Sequence, residues 1–176
     1  WKCPTAGCPG LLHVAGYAFE SSKGTVLAVN KWDLAPSLGL TAKECTRFIR
    51  ERMKFVGFAP IVFISALTGE GIDVLLDQIE AVGKQRWREV PPEELKEVFQ
   101  QGLVAQPPPR HGTRQLRLYR VAQTGVNPPT FTFVVNEAAL VHFSYRRYWE
   151  NRLRRAFGFE GTPLRLVFEE RAKRAK

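Results

Sequence analysis

Two polar clusters in this chain are placed to do chemistry. Asn30-Lys31-Trp32-Asp33 follows the apolar run Thr25-Val26-Leu27-Ala28-Val29, and Ser65-Ala66-Leu67-Thr68-Gly69-Glu70-Gly71 follows Ile61-Val62-Phe63-Ile64. The chemistry they suit is recognition of guanine. Its N1–H and N2–H donors sit side by side, and one carboxylate can accept from both; charge-assisted paired hydrogen bonds of this kind are strong and orienting. Adenine offers an acceptor at N1, so the same carboxylate would be repelled and left unpaired. Asp33 is the residue for that role. Asn30 can brace its loop and reach the base edge, and the stem of Lys31 can lie over the base plane. Ser65 and Ala66 are small enough to let the backbone approach, and the Ala66 N–H can donate to guanine O6. Gly69 and Gly71 are turn residues ahead of a helix.

Each cluster needs an element to hold it. Both apolar runs read as buried strands, and ligands of a parallel α/β sheet gather at the carboxyl edge of its strands. Residues 11–20 read as the end of a helix feeding the first strand. A helix over residues 41–56 joins the two strands, with Thr41 as N-cap and Glu44 at the capping-box position. Phe48, Ile49, Met53 and Val56 make most of its buried face. A further helix over residues 71–87 carries Ile72, Leu75, Leu76 and Ile79 at helical spacing. The order helix, strand, helix, strand, helix is that of the second half of a doubly wound, parallel α/β fold.

Phosphate is served less well. Phosphoryl transfer needs a Gly-x-x-x-x-Gly-Lys-Ser/Thr loop between strand and helix, and ligands for magnesium. Gly83-Lys84 is followed by Gln85, no Asp-x-x-Gly follows a strand, and no switch threonine can be placed. Nucleotide hydrolysis by this chain alone is not expected, and no residue is assigned a catalytic role.

The 176 residues carry a net charge of +9, unevenly spread. Residues 1–89 hold 11 Lys and Arg against 9 Asp and Glu, whereas residues 90–176 hold 15 against 8. A basic C-terminal half suits a polyanionic partner, although a solvated basic surface has the same composition. The three cysteines, Cys3, Cys8 and Cys45, with no secretory signal, fit a reducing cytoplasm. Cys3 and Cys8 resemble half a zinc knuckle, but no second Cys or His pair stands at ligand spacing, so no metal is expected. No apolar run reaches the roughly 18 residues of a membrane span.

Residues 1–10 are loop-like and match nothing that follows. Pro91-Pro92 opens a second unit, with a helix over 92–104 that places Leu95, Val98, Phe99 and Leu103 on one face. Pro107-Pro108-Pro109 is an extended break. Residues 116–123 alternate, with Leu116, Leu118, Arg120 and Ala122 opposite Arg117, Tyr119, Val121 and Gln123, as in a strand. Gly125-Val126-Asn127-Pro128-Pro129 connects it to a second strand over 130–135. Asn136 is expected to cap a short helix through about residue 143, and a longer helix runs from 144 to 157 and stops at Gly158. A last strand covers 162–169, and residues 172–176 form a basic tail. The order is α-β-β-α-α-β.

That order, after a half-fold with guanine-reading loops, resembles the double Era-like GTPase family (Der, also called EngA). The segments that carry the resemblance are Val26-Leu27-Ala28-Val29-Asn30-Lys31-Trp32-Asp33-Leu34, Gly125-Val126-Asn127-Pro128-Pro129-Thr130-Phe131, Phe143-Ser144-Tyr145-Arg146-Arg147-Tyr148 and Gly158-Phe159-Glu160-Gly161-Thr162-Pro163. The likeness runs from about residue 11 to residue 171. It implies an α/β segment followed by an α+β one: the C-terminal half of a P-loop GTPase domain at 11–89, then a KH-like domain at 90–171. It also implies GTP or GDP as ligand, with Mg2+ held by residues this chain lacks. Its further implications are a cytoplasmic bacterial factor for assembly of the large ribosomal subunit, with ribosomal RNA and the parent protein's first GTPase domain as partners, and no membrane.

The second unit is the place to look for RNA contact. Arg146, Arg147, Arg154 and Arg155 can fork onto phosphates, while Trp149, Leu153 and Phe157 share one helix face and read as core. His142 reads as a structural partner. No Gly-x-x-Gly stands between the adjacent helices, where KH domains clamp single strands; Gly158-Phe159-Glu160-Gly161 has those letters but precedes the last strand. Two functions stay open. One is a GTP-binding ribosome-assembly factor represented by its base-reading loops and KH-like domain. The other is a non-catalytic basic module contacting ribosomal RNA or a neighbouring GTPase domain.

Overall fold

The computed structural model describes residues 9–111 and 113–171. Residues 1–8, with Cys3 and Cys8, and the tail at 172–176 lie outside the described residues. The chain divides into two compact units: one of residues through Arg86 together with Glu160–Pro163, the other of Trp87–Phe159 with the residues from Leu164 onward.

The first unit runs α1 (Pro9–Glu20), β1 (Leu27–Val29), α2 (Ala42–Arg52), β2 (Ile61–Phe63) and α3 (Ile72–Arg86). β1 and β2 pair in parallel, Leu27 opposite Ile61 and Val29 opposite Phe63. Parallel neighbours need a crossover, and α2 supplies it. α2 starts where its capping residues dictate: the Thr41 hydroxyl accepts from the Glu44 N–H, and the Glu44 carboxylate accepts from the Thr41 N–H. Each bond satisfies a donor the helix cannot. The Thr41 hydroxyl, then its N–H, hold the Glu44 carboxyl below the usual range. Ala15, Ile49, Met53, Val56 and Ala59 form the core, with Leu27, Val29, Phe58 and Ile61 packed against it.

Burial differs from expectation at three places. Ala28 is exposed although its in-register partner Val62 is buried, while Leu27 and Val29 pack on the core. Cys45 rather than Phe48 is buried on α2, and Phe48 lies half-exposed under the Arg52 guanidinium. On α3 only Val82 is buried, while Leu76 and Ile79 are exposed. Val82 packs closely: a Cβ added at Gly161 would fall 2.2 Å from it, and the Thr162 hydroxyl donates to its carbonyl at 3.5 Å.

The second unit runs α4 (Pro92–Ala105), a hairpin of β3 (Arg110–His111) and β4 (Arg114–Gln115), then β5 (Leu118–Gly125), β6 (Thr130–Val135), α5 (Phe143–Phe157) and β7 (Arg165–Glu170). β6 is central, antiparallel to β5 and parallel to β7. Phe99, Phe131, Phe133, Tyr145, Trp149, Leu153 and Phe157 dominate the core. The Trp149 ring stacks on Phe99 with centroids 5.4 Å apart and lies so close to α4 that a Cβ at Gly102 would sit 2.4 Å from it. Burial pushes the Tyr145 phenol up to about 12.

Here too the details depart from the sequence pattern. The pairing slips between Leu118 and Arg120, so that two steps along β5 match one along β6. This bulge breaks the expected alternation: Leu118 is buried, Tyr119 and Arg120 are both exposed, and Val121 packs on the core. Asn136 caps no helix. Its carboxamide oxygen accepts from the Arg117 N–H at 2.7 Å, and its NH2 donates to the Gln115 carbonyl at 2.9 Å. The short helix expected after it is one 3-10 turn over Ala138–Leu140. β7 starts at Arg165, because Thr162 and Pro163 belong to the first unit. The β3–β4 hairpin was not foreseen. No helix among the described residues is long and apolar enough to cross a membrane.

Candidate functional site

β1 and β2 end side by side because they are parallel and in register, and this brings Asn30 and Asp33 to residues 65 and 66. The Ser65 hydroxyl donates to Asp33 Oδ1 at 2.5 Å. Ser65 is fully buried and Asp33 half-buried, so the hydroxyl fixes the carboxylate from its protein side. Asn30 Oδ1 accepts two backbone N–H groups, from Lys31 at 2.7 Å and from Ala66 at 3.0 Å. The first holds Lys31 in a left-handed turn, with φ 63°. The second ties the two loops together. The Trp32 N–H donates to the Ile64 carbonyl, and the Trp32 and Phe63 rings meet at 4.3 Å.

The second loop is braced by its own bonds. The Ser65 N–H donates to Glu70 O at 2.9 Å, the Gly69 N–H to Ser65 O at 2.8 Å, and the Thr68 N–H to the Ser65 hydroxyl at 3.3 Å. Gly69 and Gly71 have φ of 82° and 74°, backbone that glycine adopts without strain. The two differ in surroundings: a Cβ at Gly69 meets open space, whereas one at Gly71 would lie 2.3 Å from the Phe63 carbonyl.

The structure thus brings Asn30, Lys31, Asp33, Ser65 and Ala66 to one edge. It differs from expectation at one bond. The Ala66 N–H, foreseen as a donor to guanine O6, is engaged by Asn30. For a base to reach it, the Asn30 carboxamide must turn or share it.

The α5 arginines divide. Arg154 is 15 % exposed, pairs with Glu150 at 3.1 Å and donates to the Phe159 carbonyl at 2.9 Å. Burial pulls its guanidinium below the usual arginine range, and Glu150 pulls it back. It ties α5 to its own C-terminal turn and is not presented to a partner. Arg146 donates to the Leu166 carbonyl at 3.0 Å and lies over the Phe168 ring. Arg147 and Arg155 are exposed. His142 Nδ1 accepts from the Ser144 N–H at 3.4 Å and so caps α5. Sequence reasoning missed Tyr119 and Arg171, whose guanidinium lies 5.2 Å from the Tyr119 centroid; a regularly alternating strand gives Tyr119 no special place.

An α/β unit with polar loops at the carboxyl edge of a parallel strand pair, followed by a KH-like α+β domain, defines the class. A family model described as the KH-domain-like C-terminal domain of EngA bacterial GTPase enzymes matches residues 89–169. The curated proteins named GTPase Der from Moorella thermoacetica and Halothermothrix orenii are 44% and 46% identical to this chain, over 92% and 90% of its length. The relative of that name from Syntrophotalea carbinolica is 43% identical over 93%. The chain belongs to the Der/EngA family and corresponds to its C-terminal part. It spans 37%, 36% and 37% of the length of those three relatives. A crystal structure of Aquifex aeolicus Era aligns at 19% identity and a TM-score of 0.29, covering 86% of this chain and 56% of that one; a likeness this weak carries no argument about the fold.

Proposed function

We propose that this chain supplies the guanine-reading edge and the RNA-contacting domain of a cytoplasmic GTP-binding factor for assembly of the large ribosomal subunit. Residues 11–89 act as the guanine-specificity part of a GTPase domain and residues 90–171 as the KH-like domain. Asp33 accepts from guanine N1–H and N2–H, Lys31 covers the base, and Asn30, Ser65 and Ala66 hold the two loops in register. The observation that carries this is the Ser65–Asp33 hydrogen bond, which aims a half-buried carboxylate at the loop edge. Phosphate and Mg2+ fall to residues that a longer parent protein supplies.

The test is nucleotide competition in a full-length protein carrying this segment. Asp33→Asn replaces an acceptor oxygen by an NH2 that opposes a guanine donor, so GTP should bind at least about tenfold more weakly. Xanthine presents a carbonyl in place of the N2 amino group, and XTP should gain relative to GTP. An unchanged order of GTP, XTP and ATP would remove Asp33 from the base site.

A further inference from the structure

The second unit carries more positive charge than its helix α5 can offer, and part of the surplus stands at one end of the sheet. Arg117 and Arg120 flank the start of β5, and both are exposed. The bulge at Tyr119 is what turns Arg120 outward, where an unbroken alternation would have placed it on the core side with Leu118. Arg171 continues the line of β7: its N–H donates to the Val135 carbonyl at 2.8 Å, and its guanidinium rests over Tyr119. The ring holds a cation that would otherwise swing free.

Two of the acids nearby have partners of their own. Glu137 pairs with Arg114 at 3.0 Å, and Glu170 accepts from the Ala138 N–H at 3.1 Å. Glu169 shares a row with Arg120 but lies two strands away, beyond Val134. Among the described residues, Arg117, Arg120 and Arg171 have no salt bridge. Three guanidiniums without a salt bridge at one end of the sheet favour a polyanion.

We infer that this corner, built from Arg117, Arg120 and Arg171 on the Tyr119 bulge, is the phosphate-contacting surface through which the second unit grips RNA. The inference rests on the reading above that this unit contacts RNA, and it moves the contact from α5 to the sheet. An acidic protein partner suits the corner less well. Protein interfaces turn on a buried apolar anchor, and the Tyr119 ring here has a face taken by the Arg171 guanidinium. Arginine forks on phosphate oxygens position a nucleic acid without reading its bases, which accords with the lack of a Gly-x-x-Gly clamp between the adjacent helices.

The experiment uses the full chain and a fluorescently labelled structured RNA, with labelled poly-glutamate as the competing polyanion. Affinity is measured at several salt concentrations for wild type, Arg117→Gln/Arg120→Gln, Arg171→Gln, and Arg147→Gln/Arg155→Gln on α5. Circular dichroism and thermal unfolding check each fold. Each lost phosphate contact lowers the slope of log affinity against log salt by roughly 0.7–0.9. The corner double variant should therefore lose about 1.4–1.8 and Arg171→Gln about half that, with the α5 variant close to wild type. Corner variants that keep the wild-type slope overturn the inference. If the α5 variant alone loses slope, the RNA reading stands and the corner is wrong. If wild type binds RNA without salt dependence, or poly-glutamate as tightly as RNA, the RNA reading itself falls and takes the corner with it.

Discussion

Gly69 and Gly71 look equivalent in the sequence, yet alanine at the two positions should behave differently. Both have left-handed φ, and a non-glycine residue there costs about 1–2 kcal/mol. Alanine also narrows the unfolded chain, which returns about 0.4–1 kcal/mol. At Gly69 nothing else changes, because its Cβ would meet no atom within 4 Å. Gly69→Ala should therefore destabilise the loop by no more than about 1.6 kcal/mol. At Gly71 the Cβ would come to 2.3 Å from the Phe63 carbonyl. That oxygen is backbone at the end of β2 and has no rotamer to escape into. Either β2 shifts or the loop opens, at an overpacking cost of about 1–3 kcal/mol on top of the backbone term.

The expected gap between the two variants is about 2 kcal/mol, or about 30-fold in a local opening equilibrium. Amide exchange at Ser65 reads it directly, since its N–H is bonded to Glu70 O within the loop. Protection at Ser65 should fall roughly 30-fold further in Gly71→Ala than in Gly69→Ala. The Ser65 hydroxyl also holds Asp33, so a longer parent protein carrying Gly71→Ala should lose guanine nucleotide affinity as well. Equal protection in the two variants would refute the steric argument and leave φ as the sole requirement.

Three further outcomes follow from packing and charge. Gly102→Ala pushes a methyl group to 2.4 Å from the Trp149 ring; overpacking of about 1–3 kcal/mol outweighs a helix-propensity gain of up to about 1, so urea unfolding should show a less stable second unit, and a rise in stability would mean the ring moves freely. Arg154→Gln should cost about 1–3 kcal/mol by removing the guanidinium that donates to the Phe159 carbonyl and to Glu150, whereas Arg155→Gln should stay within about 0.5; equal losses would show Arg154 to be a surface charge. The Glu44 carboxyl is held low by Thr41 in the folded chain, so the stability it lends is present above the ordinary carboxylate value and disappears as pH falls through the lowered one; Thr41→Val should be less stable than wild type at neutral pH, and a difference that persists fully in strong acid would rule out the carboxylate as its source.

What the sequence disclosed and what it concealed divide by the range of the forces involved. Thr41 and Glu44 announce the start of α2 because both halves of the capping box lie within four residues. Gly158 announces the end of α5 for the same reason, and Thr130 to Val135 form β6 as their β-branched and aromatic character suggests. The placement of both polar clusters was legible residue by residue, since each apolar run delivers its cluster at the carboxyl end. The bond from Ser65 to Asp33 was not, because it joins residues 32 apart through the register of two strands. The Tyr119 bulge was hidden likewise: it belongs to the pairing of β5 with β6, and no composition rule marks it. The arginines show the limit most clearly. A guanidinium carries five donors and seeks any carbonyl within reach, so charge counted along a helix overstates charge offered to a partner. On α5, Arg146, Arg152 and Arg154 are drawn to the carbonyls of Leu166, Val98 and Phe159. Those acceptors come from β7, α4 and the turn after α5, and no periodicity in α5 itself points to them. A surface for a polyanion must therefore be sought where tertiary acceptors are absent. In this unit Arg117 and Arg120 are the plainest such places, the second lifted clear of the core by a strand that is one residue out of step.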